Sequence, residues 1–374
     1  MKLVVAMDSF KGSLTAERAC RVVAESIAVV APRAEIITKP MADGGEGTAQ
    51  TMLAAGKGQW IEKTVTGPLR NMRVRAGFAW FAGEKLVVVE MATASGLQLL
   101  SPDQRNPLKT ATYGTGQLIQ AAMDYGARRI LLAVGGSATV DGGTGAAAAM
   151  GWKFLSKDGK QVDLGGGQLL QIERMIPPEH INRVPIEVLC DVDNPLCGDQ
   201  GAARIYGPQK GATKEMVELL EAGLEHLAAL VQRQLGCDIA DLPGAGAAGG
   251  LAAGAVAFMG AKLVSGIETV ISWSRLGQAI AGADWVITGE GCFDEQSLRG
   301  KVVSGVAKAA RSAGAKVAVL AGQVLLPRDK YRDLGVADAF ACMTDQMPLA
   351  DAMANSEHLL AQTARQFALK YLAA

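Results

Sequence analysis

Cysteine and histidine are scarce in this chain of 374 residues: the six Cys, at 20, 190, 197, 237, 292 and 342, form no CxxC pair, and there are three His. A disulfide framework and a zinc site are thereby disfavoured, and a reducing cytoplasm is the expected home. Net charge is absent too. The 37 Lys and Arg balance 37 Asp and Glu, which leaves no electrostatic case for a nucleic-acid or anionic-membrane partner. The first residues lack the basic, then apolar, then small-residue order of a signal peptide. One nearly uncharged run exists, Gly244 to Val264 (GAGAAGGLAAGAVAFMGAKLV). Ala and Gly make up most of it and contribute little transfer free energy, so it reads as a close-packed helix of a soluble protein rather than a membrane span. The chain has no GxxxxGK(S/T) and no HRD or DFG set, which excludes a P-loop NTPase and a protein-kinase fold. Aromatics are few, five Trp, five Tyr and eight Phe, against 45 Gly. With 49% of residues hydrophobic, that many glycines point to tight turns near ligands and not to disorder.

What is present is a repeated strand, glycine-acid turn and helix. Leu3 to Met7 is an apolar run of strand length, followed by Asp8-Ser-Phe-Lys-Gly-Ser13 and a helix from about Thr15. Glu35 to Thr38 and Met41-Ala-Asp-Gly-Gly-Glu-Gly-Thr48 repeat the plan, and Trp285 to Thr288 repeats it again, running through Gly289 to Arg299 into a helix with Lys301 in its first turn. Thr64 to Trp80 alternates like a hairpin or curved sheet. Helices and strands then alternate again, through strands at Arg129 to Val134 and Glu187 to Asp191 and a long helix, Lys214 to Leu235. The first 55 residues offer two strands and the last hundred offer three, and a doubly wound sheet needs five or six. The expected fold is therefore α/β: a Rossmann-like parallel-sheet domain built from both termini, residues 1–58 and 270–374, with a second α/β domain, 59–269, inserted in it and the active site in the cleft between them.

Two stretches carry chemistry, together with charged residues on other loops. The loop Gly135 to Gly145 can turn backbone N–H groups on a phosphate, with Gly135, Gly136, Gly142 and Gly143 giving close approach and Ser137 and Thr139 adding hydroxyls. Asp191-Val-Asp193 places two carboxylates at alternate positions where a strand ends, an arrangement suited to Mg²⁺. Asp8, Asp43, Glu290 and Asp294 add acids on other strand-end loops, and Lys11, Lys210, Arg299 and Lys301 are the cations placed to meet a phosphate or small carboxylate. Such a set fits metal-assisted phosphoryl transfer. Gly244-Ala-Gly-Ala-Ala-Gly249 satisfies GxGxxG but follows Asp241-Leu-Pro243 and not a strand, so it reads as a small-residue helix contact. A nicotinamide-dependent dehydrogenase would rest on that motif alone. A non-catalytic sugar-acid-binding protein would have no need of so many metal-ready acids.

Asp8-Ser-Phe-Lys, Ala42-Asp-Gly-Gly-Glu-Gly-Thr48, Glu90-Met-Ala-Thr-Ala-Ser-Gly96, Gly135-Gly-Ser-Ala-Thr, Cys190-Asp-Val-Asp-Asn-Pro-Leu196, Tyr206-Gly-Pro-Gln-Lys-Gly-Ala212, Gly244-Ala-Gly-Ala-Ala-Gly-Gly250 and Ile287-Thr-Gly-Glu-Gly291 together resemble the bacterial type I glycerate kinases. The resemblance implies ATP- and Mg²⁺-dependent phosphorylation of D-glycerate, with 2-phosphoglycerate favoured over 3-phosphoglycerate, by a monomer or homodimer. Two positions depart from the family pattern, Met7 in place of Pro and Cys292 in place of Arg. The expected roles are these: Asp43 or Asp191 as base with Lys11 assisting; the Gly135 loop and Lys301 on the nucleotide phosphates; Asp8, Ser9, Arg299 and Lys210 on substrate; and Asp191, Asp193, Glu290 and Asp294 as metal donors.

Overall fold

The apolar runs at the two ends of the chain pair with each other. In the computed structural model, which describes residues 1–180, 184–298, 300–344 and 346–373, Leu3 lies opposite Trp285 and Met7 opposite Gly289 in a parallel ladder. The five-stranded sheet so begun has the order Val336–Ala341, Lys316–Ala321, Trp285–Gly289, Lys2–Met7, Glu35–Thr38, with every pairing parallel. Side chains alternate between its faces. Val4 and Ala6 join Val286, Val317 and Val319 under the helix Val302–Ser312. Leu3, Val5 and Met7 join Ile287, Ala318 and Leu320 under the helices Ala16–Val30 and Ser356–Tyr371. Because both faces are covered, these strands are continuous apolar runs. Thr15 caps the first helix, its hydroxyl accepting from the Arg18 N–H at 3.2 Å.

The chain divides into two compact units. The first holds Met1–Asp43, Gln50–Lys57 and Ile267–Ala374; the second holds Gly44–Ala49 and Gly58–Gly266. The six residues 44–49, which the sequence pattern gave to the outer domain, thus cluster with the second unit. They are bound there by backbone: the Ala49 N–H donates to Glu90 Oε1 at 2.6 Å. A Cβ on Gly135 would lie 2.6 Å from the Gly45 Cα, so glycine at 135 is what admits this approach.

The second unit is built on a six-stranded sheet in the order Lys262–Val264, Ile186–Leu189, Arg129–Ala133, Leu86–Glu90, Arg73–Phe81, Gln59–Thr66. The first four strands are parallel, and the last two form an antiparallel edge in which Gln59 faces Trp80. Fold class is therefore α/β throughout. The run Gly244 to Val264 is not one helix: a 3-10 turn, Ala247–Gly250, leads into the helix Leu251–Met259, and Lys262–Val264 is an edge strand. Among the described residues no helix is long and apolar enough to cross a membrane.

Candidate active site

In the first unit the chain order reverses between the neighbouring strands Lys2–Met7 and Trp285–Gly289. That is the topological switch point of an open parallel sheet, where ligands bind beyond the strands' carboxyl ends. A cavity of about 350 Å³ opens there. The turn after the first strand contributes Asp8, Ser9, Phe10 and Lys11, Asp43 comes from the loop after the second, and Glu290, Cys292, Asp294 and Lys301 come from the stretch after Gly289. Only glycine fits at 289, since a Cβ would sit 1.8 Å from the Leu320 carbonyl oxygen of the neighbouring strand.

Asp8 is 8% exposed, and the Ser9 N–H donates to its Oδ1 at 2.6 Å. Burial first, then the nearby Asp43 carboxylate, raises its pKa from 3.8 to about 8, with Glu290 adding and Lys11 opposing. Glu290 is pushed up in the same direction, mainly by burial, while Ser297 and Lys301 pull it down. Its Oε1 is buried without a hydrogen-bond partner, as is the Thr288 hydroxyl. In an interior of low dielectric such an oxygen is costly, and a cation or a donated proton would satisfy it. Asp294 opens a short 3-10 turn, Glu295–Leu298, its Oδ1 accepting from the Gln296 N–H at 2.8 Å. Lys301 stands at the start of the helix Val302–Ser312 and donates to Gln296 Oε1 at 3.2 Å. Arg299 lies outside the described residues. Among those described, no three His, Cys, Asp or Glu side chains converge as a metal cluster.

The second unit holds the remaining candidates. Lys210 is 2% exposed and donates from Nζ to Ser137 Oγ at 2.7 Å and to the Thr139 carbonyl oxygen at 2.8 Å. Burial lowers its pKa to about 7, with Asp141 opposing. Proposed from sequence as a substrate contact, it braces the glycine loop from within. Asp141, which the sequence pattern did not single out, holds the same loop together: it accepts from the Thr112 N–H and hydroxyl, both at 2.8 Å, and from the N–H groups of Gly143 and Gly145 at 3.2 Å. The Thr139 hydroxyl is buried with no partner. Several glycines of the 244–254 stretch are explained by chain crossing chain. A Cβ on Gly249 would meet the Thr139 carbonyl at 1.9 Å, one on Gly254 the Gly142 carbonyl at 2.4 Å, and one on Gly246 the Pro195 carbonyl at 2.3 Å. Four of the sequence motifs, at 135–145, 190–196, 206–212 and 244–250, are thus knotted together in this unit. Asp191 accepts at Oδ1 from the Ser265 hydroxyl at 2.7 Å and the Gly266 N–H at 3.0 Å, whereas Asp193 is exposed. Glu90 is a further acid that spacing did not single out, buried and raised to about 7 despite accepting from the Ala49 and Gly47 N–H groups.

Comparison with known proteins gives a consistent result. The profile of the glycerate kinase family matches residues 3–372. The chain is 44% identical over 371 residues to a glycerate kinase of Halalkalibacterium halodurans, covering 98% of this chain and 97% of that protein. It is 39% identical over 373 residues to the glycerate 2-kinase of Escherichia coli, covering 98% and 97%. A crystal structure from Salmonella typhimurium, described as that of a glycerate kinase 2, superposes with a TM-score of 0.84 at 40% identity, covering 99% of this chain and 98% of that one.

Proposed function

Because the chain belongs to the glycerate kinase family and is therefore a phosphotransferase, we propose that it transfers the γ-phosphoryl group of ATP to the 2-hydroxyl of D-glycerate, with Mg²⁺ as cofactor. The observation that carries this reading is the cavity of the first unit, where acids and cations meet at the sheet's switch point. The donor set suits the ion. Carboxylate oxygens are hard ligands, Glu290 presents a buried and unpartnered Oε1, and Mg²⁺ is commonly held by one or two carboxylates together with phosphate oxygens and water. Glu290 and Asp294 would hold it, and the bound ion would supply charge neutralisation at the phosphates.

The protein's own part is positioning and proton handling. Asp43 lines the cavity and accepts the proton of the attacking hydroxyl. Asp191, the other candidate base, has its Oδ1 engaged by Ser265 and Gly266, which suits it better to holding that turn. Lys11 and Lys301, both on the cavity wall, offset the charge of the phosphates or of the substrate carboxylate. Ser9 and Asp8 orient the substrate hydroxyls.

Phosphorus NMR of a mixture of protein, ATP, Mg²⁺ and D-glycerate tests the reading. A 2-phosphoglycerate signal is expected; 3-phosphoglycerate would keep the kinase and overturn the position. Asp43→Asn should lower kcat by roughly 10²- to 10⁴-fold, the usual worth of a general base. Turnover near that of the unaltered enzyme would remove Asp43 from that role.

A further inference from the structure

The acids and cations make up only part of the lining of the first unit's cavity. Five large apolar side chains, Phe10, Met343, Leu349, Met353 and Leu359, also contribute to its wall. Single exposed hydrophobic side chains are common on protein surfaces, but several gathered on one cavity mark a binding surface. Two of these are left substantially open, Leu349 at 61% and Met353 at 38% exposure. Met353 packs beside the turn after the first strand, its Cε 2.8 Å from where a Cβ on Gly12 would stand.

D-Glycerate does not match this wall. Each of its three carbons carries oxygen, so no face of it is apolar, and a polyphosphate chain is likewise polar throughout. Of the two molecules that an ATP-dependent glycerate kinase must hold, only the purine base has an apolar, polarizable face. Methionine suits such a face, because its thioether adapts to irregular gaps and makes favourable contacts with aromatic rings. A volume of about 350 Å³ also falls in the range of pockets that enclose ligands larger than a three-carbon acid. We infer that the wall of Phe10, Met343, Leu349, Met353 and Leu359 seats the purine base of the phosphoryl donor, which places the nucleotide on the unit built from the two chain ends. This rests on the kinase reading above and adds to it the location of the donor.

The test uses the full-length protein and the exposed wall positions, so that folding is little disturbed. Leu349→Gln and Met353→Gln change polarity without adding charge, and Met353→Leu restores an apolar side chain. Binding of a non-hydrolysable ATP analogue is measured by calorimetry, and inorganic tripolyphosphate, which has the phosphates but no base, is titrated alongside. Each Gln variant should weaken the analogue by about tenfold, in line with losing the burial of one such side chain. Met353→Leu should stay within about twofold of the unaltered protein, while tripolyphosphate binding and the KM for D-glycerate stay unchanged. Equal weakening of tripolyphosphate, a rise confined to the glycerate KM, or no change in either variant would each overturn the assignment. Whether the unaltered protein makes phosphoglycerate is a separate result: its failure would remove the kinase reading, and the binding data would still decide whether the wall holds a base.

Discussion

Two buried ionisable groups define how individual side chains respond to pH. Asp8 keeps its proton up to about pH 8 in the folded protein, against an ordinary value of 3.8. Between those limits the folded chain holds a proton that the unfolded chain has released, so stability falls as pH rises through the window. Asp8→Asn should flatten this fall; thermal unfolding scans from pH 4.5 to 8 would show the midpoint varying less than in the unaltered protein. Lys210 behaves oppositely. Its pKa drops from 10.5 to about 7, so above pH 7 the unfolded chain is the more protonated state and stability rises with pH. Lys210→Met should remove that rise between about pH 7 and 10, a difference that unfolding midpoints at three or four pH values would reveal. That Lys210 is a buried brace was not legible in the sequence. A lysine in a glycine turn reads as solvated or ligand-facing, and its partners, Ser137 and Thr139, lie some seventy positions upstream. Asp141 and Glu90 escaped for the same reason, since burial of an acid is decided by what folds over it.

At the level of elements the sequence was far more readable, because strands covered on both faces leave unbroken apolar runs. Glu35–Thr38 and Lys214–Leu235 fall where the sequence pattern put them, and the strands at Lys2–Met7 and Trp285–Gly289 differ from expectation by a residue at one end. Local signals failed where tertiary contact decides conformation. The terminal stretch from Leu349 forms two helices, Leu349–Ala354 and Ser356–Tyr371, broken at Asn355, a residue that competes with helical hydrogen bonding through its side chain. The Ala-Gly run near 250 is interrupted because Ala248 and Gly249 take left-handed backbone angles, φ +56 and +66, which a pattern of small residues does not announce. Gly249 is the sharpest case. A Cβ there would fall 1.9 Å from the Thr139 carbonyl at a positive φ, so Gly249→Ala should cost at least about 1–3 kcal/mol, to be read from denaturant midpoints. A loss below about half a kcal/mol would mean the crossing relaxes freely.

For the whole molecule, the two units have separate cores: Val4, Val286 and Phe293 sit in one, while Phe78, Leu118 and Ile130 sit in the other. Calorimetry of the full chain should therefore resolve two unfolding transitions, and a single two-state transition would show them to be one cooperative body. The sheet order of the first unit has a further consequence, for biosynthesis. Lys2–Met7 leaves the ribosome long before its partner Trp285–Gly289, which is made only after the whole second unit, so every residue needed for the six-stranded sheet exists while that strand still lacks one neighbour. Domains tend to fold as they emerge, and an unpaired apolar strand is a template for wrong pairing. The nascent chain thus carries Lys2–Met7 with one edge open until Trp285–Gly289 emerges, and that strand, not the two made after it, is the one that closes the edge.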